Sequence, residues 1–224
     1  MTPEHHAALA QTLESTLEAS LGVCRVLKLS LLAGGASKEA WALDLETPGG
    51  VRELILRRAG GGAMNLEQLS LEQEFRVIRA AADAGVTVAE PVAYLPDVLG
   101  REAFVSARVR GEAVGRRVVT KSELEAARSG LPERMALELS KIHAVPLETL
   151  SFLPGSDGKT GARHSIERLY DELDSVREPH PVIELALRWL GEHEPPSNGH
   201  ALVHGDFRIG NLMISETGLM GVLD

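Results

Sequence analysis

Leu9, Leu13, Leu17 and Leu21 recur at helical spacing, and Thr2-Pro3 ahead of them supplies a cap and a first-turn proline. The spacing predicts an opening helix that Gly22 ends. The period then changes. Val26 to Leu32 reads as a strand broken by Gly34-Gly35, and Trp41 to Leu45 alternates apolar with smaller or polar residues. Thr47-Pro48-Gly49-Gly50 is a turn signal, and Leu54-Ile55-Leu56 is a compact apolar strand, so three successive antiparallel strands are expected. After the Gly60-Gly61-Gly62 link, Leu66, Leu69, Phe75, Ile78 and Ala82 return to helical spacing, with Gly85 placed to cap the end. Pro91 to Leu95 and Ala103 to Val109 read as two further strands.

Beyond Gly111 the pattern is mainly helical. Pro132 to His143, Ser165 to Val176 and Pro181 to His193 are the candidate helices, and Trp41 and Trp189 read as packing residues. A short strand is expected at Ala201 to Val203, then a polar loop, then a hairpin from Leu212 to Leu223. The architecture predicted is α+β, a small sheet-containing part followed by a helical one.

The composition is that of an ordinary globular chain: 224 residues, 44% apolar and 25% charged. A net charge of −9 with no basic run argues against a nucleic-acid partner. The single cysteine, Cys24, permits no internal disulfide and fits a reducing, cytoplasmic setting. No apolar run reaches the length of a membrane span.

The chemistry concentrates in His204-Gly205-Asp206-Phe207-Arg208-Ile209-Gly210-Asn211. Phosphoryl transfer needs a nucleophile oriented and phosphate charge neutralised. A carboxylate can accept a hydroxyl proton, and an amide oxygen further along the loop can ligate Mg²⁺, a hard ion that prefers oxygen. The two apolar runs around Glu216-Thr217-Gly218 fold Asn211 and Asp224 to matching distances from a hairpin tip, which predicts an oxygen-rich metal site.

The segment LVHGDFRIGNLMISETGLMGVLD resembles the catalytic loop and metal hairpin of the aminoglycoside phosphotransferase and choline kinase superfamily, which shares the protein-kinase-like fold. LLAGGASKEAWAL, LILRR, LEQEFRVIRAAADAGVTVAEPVAY, FVSARVRGE and ALELSKIHAV resemble, in order, its glycine-containing loop, third strand, bridging helix with the strand after it, hinge, and long helix. The resemblance covers roughly residues 20 to 224. It implies an N-terminal nucleotide-binding lobe at 1–106, a hinge at 107–112 and a helical lobe at 113–224. It implies Asp206 as catalytic base and Asn211 and Asp224 as Mg²⁺ ligands. Gly34, Gly35 and Ser37 would lie over the ATP phosphates, Arg57 would stand where the family usually carries a phosphate-pairing Lys, and Glu74 would hold that cation. Ala107 and Val109 would offer backbone groups to adenine. Arg57 in place of Lys changes a point charge into a planar fork, and Ser106-Ala107 departs from the Met-Glu pair many relatives carry. His204 reads as a brace for the loop.

The resemblance also implies further chain after Asp224, including helices that build most of the substrate pocket and cover apolar surface of the helical part. The function expected is transfer of the γ-phosphoryl group of ATP to a small-molecule hydroxyl: an aminoglycoside, a macrolide, an amino alcohol or a sugar-like compound. A catalytically silent nucleotide-binding protein of the same fold, or a protein kinase, are the alternatives. His-Gly-Asp in place of His-Arg-Asp favours a small-molecule kinase. Oligomeric state is not legible.

Overall fold

The computed structural model describes residues 3–32, 38–60, 69–153, 158–197 and 199–223. Helix α1 (Pro3–Leu21) leads into strands β1 (Arg25–Leu31), β2 (Lys38–Thr47) and β3 (Gly50–Ala59), then helix α2 (Leu71–Asp83) and strands β4 (Pro91–Leu95) and β5 (Ala103–Ala107). The five strands form one antiparallel sheet in the order β1-β2-β3-β5-β4. Its two faces follow from the period-two alternation of strands. Trp41, Leu43, Leu45, Leu54 and Leu56 turn to one face and bury against Leu9, Leu13 and Leu17 of α1. Full burial of each such leucine stabilises the fold by roughly 1.5–3 kcal/mol. The other face carries Arg57 and Phe104, cross-strand partners. Phe75 of α2 packs against Phe104 and Tyr94 there, with ring centroids 6.0 and 6.3 Å apart.

The start of α2 is pinned by a capping box. Ser70 Oγ accepts from the Gln73 amide at 3.1 Å, and Gln73 Oε1 accepts from the Ser70 amide at 3.0 Å. Glu102 adds a bond from the Leu71 amide at 3.1 Å. Glu74 sits one turn inside that fixed end.

After β5 come α3 (Gly115–Thr120), a single 3-10 turn at Ser122–Leu124, and α4 (Glu125–His143). The expected start of α4 at Pro132 is corrected, because the helix begins a full two turns earlier and holds Pro132 in its interior. Leu124, Ala127 and Leu131 are buried at helical spacing, and that packing outweighs the hydrogen bond a proline forfeits. Helices α5 (Gly161–Val176) and α6 (Pro181–Glu192) follow, then the hairpin β6 (Leu212–Ser215) and β7 (Gly218–Val222). Residues 201–203 are open chain, not the strand expected, and pair with no strand among the described residues. Trp189 also departs from expectation: it is 56% exposed and stacks on His193 at 4.4 Å.

The chain forms two compact units, Met1–Val145 with His204–Asp224, and Pro146–Val203. In the second, Thr160 caps α5 through the Arg163 amide, and Glu194 accepts from both Thr160 and Arg163. Every candidate site residue belongs to the first. Among the described residues no helix is long and apolar enough to cross a membrane.

Candidate active site

The turn from Arg208 into β6 brings Asp206 and Asn211 into contact. Asn211 is buried, and its Nδ2 donates to the Asp206 carbonyl at 2.9 Å and to Asp206 Oδ2 at 2.8 Å. Both partners only accept, so the orientation of the amide is determined and Oδ1 points away from Asp206. That leaves a hard oxygen donor beside a carboxylate. Across the hairpin, the Leu223 amide donates to the Asn211 carbonyl at 2.8 Å. Asn211 is thus registered one residue short of Asp224, which itself lies outside the described residues.

His204 ties this loop to the far strand. Its Nε2 donates to the Leu223 carbonyl at 2.9 Å, and its Nδ1 accepts the Asp206 amide at 3.4 Å. A carbonyl can only accept and an amide N–H only donate, so these partners fix one neutral tautomer. Gly205 between them takes φ +82°, a conformation L side chains rarely adopt, which accounts for glycine at that position. Arg208 Nε donates to both Asp206 carboxylate oxygens at 3.0 Å. That bond, assisted by the Asn211 amide, holds the Asp206 carboxyl below the usual aspartate range.

The hairpin is seated on the rest of the first unit from two sides. Glu112 and Ile214 exchange backbone bonds at 2.8 and 3.0 Å, and the Val222 amide donates to the Thr87 carbonyl at 2.7 Å. Gly111 lies so close that a Cβ there would come 2.7 Å from the Ile214 carbonyl oxygen. Glu138 of α4, fully buried, holds Thr87 in place and takes Lys141 Nζ at 2.8 Å. The Glu112 carboxylate accepts from Lys121 and from the Val114 amide, and these contacts hold its carboxyl below the usual range.

On the sheet, alternation separates the two arginines of the Arg57-Arg58 pair. Arg58 turns to the α1 face, is 2% exposed, and bonds to Glu39, the Val98 carbonyl and the Leu99 carbonyl. Arg57 turns to the α2 face, its guanidinium 6.0 Å from the Phe104 ring centroid. The cation bonded to Glu74 Oε1 is Lys38, from the first residue of β2. Nothing in the spacing singles out Lys38; only register shows that it shares a face with Arg57, since Ala40 is the partner of Arg57. Glu74 Oε2 is buried with no hydrogen-bond partner among the described residues. Gly34, Gly35 and Ser37, expected over the phosphates, lie outside the described residues. The Ala107 amide donates to the Glu90 carbonyl at 2.8 Å. Val109 follows in open chain, its methyl groups 3.4 Å from where a Cβ on Gly221 would stand. Lys38, Glu138 and Arg208 are the site's additions to the residues expected from sequence.

Sheet, bridging helix and Asp–Asn loop feeding a hairpin together form the kinase-like fold of the aminoglycoside phosphotransferases. The chain belongs to the phosphotransferase enzyme family APH, whose model it matches over residues 28–224. It is similar to a Ralstonia eutropha JMP134 protein assigned as an aminoglycoside phosphotransferase, with a TM-score of 0.69 and 26% identity over 96% of this chain and 63% of that one. The fold is also shared with a thermostable mutant of aminoglycoside phosphotransferase APH(4)-Ia in ternary complex with ADP and hygromycin B, at a TM-score of 0.62 and 19% identity over 95% and 70% of the two chains. Among curated proteins it resembles acyl-CoA dehydrogenase family member 11 of Gallus gallus, 29% identical over 78% of this chain, and family member 10 of Mus musculus, 28% identical over 77%. The matched chain spans only 23% and 17% of the length of those two relatives.

Proposed function

We propose that this chain carries the nucleotide-binding and catalytic elements of a kinase that moves the γ-phosphoryl group of ATP to a hydroxyl of a small molecule. The observation that carries the reading is the Asp206–Asn211 pair: a carboxylate held by an amide whose oxygen points away from it. Asp206 would accept the hydroxyl proton as the substrate oxygen bonds to the γ-phosphorus and the bond to ADP breaks. The family match supports a phosphotransferase. A neighbour holding ADP and hygromycin B favours a polyhydroxylated small molecule, in the range of aminoglycosides, macrolides, amino alcohols and sugar derivatives.

Asn211 Oδ1 is an oxygen donor of the kind Mg²⁺ takes, and Asp224 would be the second ligand. Among the described residues no three His, Cys, Asp or Glu side chains cluster into a metal cage, and Mg²⁺ does not need one, because it takes one or two protein oxygens together with phosphates and water. When bound, the ion would offset phosphate charge. Gly34, Gly35 and Ser37 would cover the phosphates, Arg57 would pair with them, and Glu74, with its unpartnered oxygen, would organise the cations around it. Ala107 and Val109 would present backbone to adenine within a hinge at 107–112, between lobes at 1–106 and 113–224.

Calorimetric titration with a non-hydrolysable ATP analogue tests this. Binding that is lost in EDTA is expected. Equal binding with and without Mg²⁺, or none, would sink the reading.

A further inference from the structure

We infer that Glu138 is a positioning residue for the metal end of the site: through Thr87 it fixes the last residues of β7, and with them the stretch of chain that would deliver Asp224 to Mg²⁺. This rests on the kinase reading and extends it to a buried carboxylate that reading leaves unused.

Glu138 lies inside α4, which packs against β7. Its side chain is 0% exposed, and an ionised carboxylate is costly to bury unless it is paired and hydrogen-bonded. Packing alone would be served by an apolar residue of similar size. Glu138 supplies instead two acceptors aimed at one residue. Its Oε2 takes the Thr87 amide at 2.8 Å, and its Oε1 takes the Thr87 hydroxyl at 3.0 Å. Lys141 Nζ, 2.8 Å from Oε1, balances the charge.

Thr87 lies in the link between α2 and β4, outside the ladder of the five-stranded sheet. Its neighbour Val88 forms an isolated parallel bridge with Val222. Fixing the N–H and the hydroxyl of Thr87 together sets its backbone and its rotamer at once. The carbonyl that remains accepts the Val222 amide at 2.7 Å. The next residue is held twice more. The Leu223 amide donates to the Asn211 carbonyl at 2.8 Å, and the Leu223 carbonyl accepts from His204 Nε2 at 2.9 Å.

Asn211 and His204 belong to the loop that carries Asp206, so they tie the end of β7 only to that loop. Thr87 ties it to α4. Asp224 is the next residue in sequence. Mg²⁺ demands near-octahedral oxygens at about 2.0–2.1 Å and tolerates little displacement of a ligand. The groups behind a ligand therefore govern how well the ion is held.

The test reads the Mg²⁺ concentration that gives half-maximal AMP-PNP binding in titration calorimetry of the chain. Glu138→Leu should raise it about 10-fold. Glu138→Gln should stay within about twofold, because an amide can accept the Thr87 N–H and donate to the Thr87 hydroxyl, which accepts as well as donates. Leu13→Val, in the core on the α1 face of the sheet, should lower the melting midpoint and leave the Mg²⁺ requirement unchanged. In the metal-free protein, hydrogen exchange at the Val222 and Leu223 amides should quicken in Glu138→Leu and not in Leu13→Val. Should Glu138→Leu not fold, Thr87→Val removes the hydroxyl bond alone and should raise the requirement roughly threefold. An unchanged requirement, a Gln variant as impaired as the Leu variant, or an equal shift in Leu13→Val would each overturn the inference and leave the kinase reading in place. A wild-type chain with no Mg²⁺-dependent AMP-PNP binding overturns both.

Discussion

Thr87 gives both its backbone N–H and its hydroxyl to the carboxylate of Glu138, at 2.8 and 3.0 Å. The same Thr87 accepts from Val222 at the end of the hairpin. A buried carboxylate on α4 is thereby linked through one residue to the strand pair that carries Asn211.

Burial raises the Glu138 carboxyl pKa, and Lys141 together with the two Thr87 bonds outweighs that effect, so the net direction is downward. A folded pKa below the unfolded one contributes stability above the ordinary glutamate range and loses it as pH falls through the folded value. Urea unfolding should show stability falling below about pH 4, with a shallower fall in Glu138→Gln. An unchanged slope would remove Glu138 from the account. Glu138→Ala, which leaves Lys141 and Thr87 unpaired, should cost roughly 3 kcal/mol.

Gly111 has φ +153° and no room for a side chain against Ile214. Gly111→Ala must displace β6 or distort the chain, and should cost roughly 1–3 kcal/mol of stability. Gly100, at φ +77° with open space around it, is the control: Gly100→Ala carries only the backbone cost, about 1 kcal/mol. Equal melting shifts for the two would mean that the contact with Ile214 is unimportant.

Lys38 and Glu74 form a partly buried ion pair. Lys38→Met removes the bond to Glu74 Oε1, and denaturant titration should register a loss of roughly 1–3 kcal/mol. Adding Glu74→Gln should then cost little more, the mark of a coupled pair. Two additive losses would show the residues acting independently.

Asp206→Asn should lower phosphoryl transfer by about 10²–10⁴-fold while the variant still binds nucleotide. Turnover near the wild-type rate in a coupled ADP-release assay would assign the base elsewhere.

Much of the frame is legible from pattern alone. Leu9, Leu13 and Leu17 announce a helix because burial against a sheet needs one apolar stripe, and the runs flanking Glu216-Thr217 announce a hairpin because a tight turn forces neighbouring strands to pair. The Asp206 and Asn211 contact follows from a loop too short to keep them apart. Pro132 misleads because proline is favoured in the first turn of a helix, and only the burial of Ala127 and Leu131 shows that this helix starts earlier. Ala201 to Val203 is apolar enough for a strand, but a strand needs an edge to join. Lys38 and Glu138 are invisible for a different reason: each gains its meaning from a partner more than thirty residues away in sequence, and a single sequence does not reveal which distant residue that will be.

A methyl added to Gly221, in the second strand of the hairpin, would meet Val109 at 3.4 Å, ordinary van der Waals contact. Val109 belongs to the open chain that leaves the sheet. The same short hairpin that carries Asn211 therefore also lies under that chain, and in a kinase of the proposed kind one strand pair would serve two ends of the nucleotide at once.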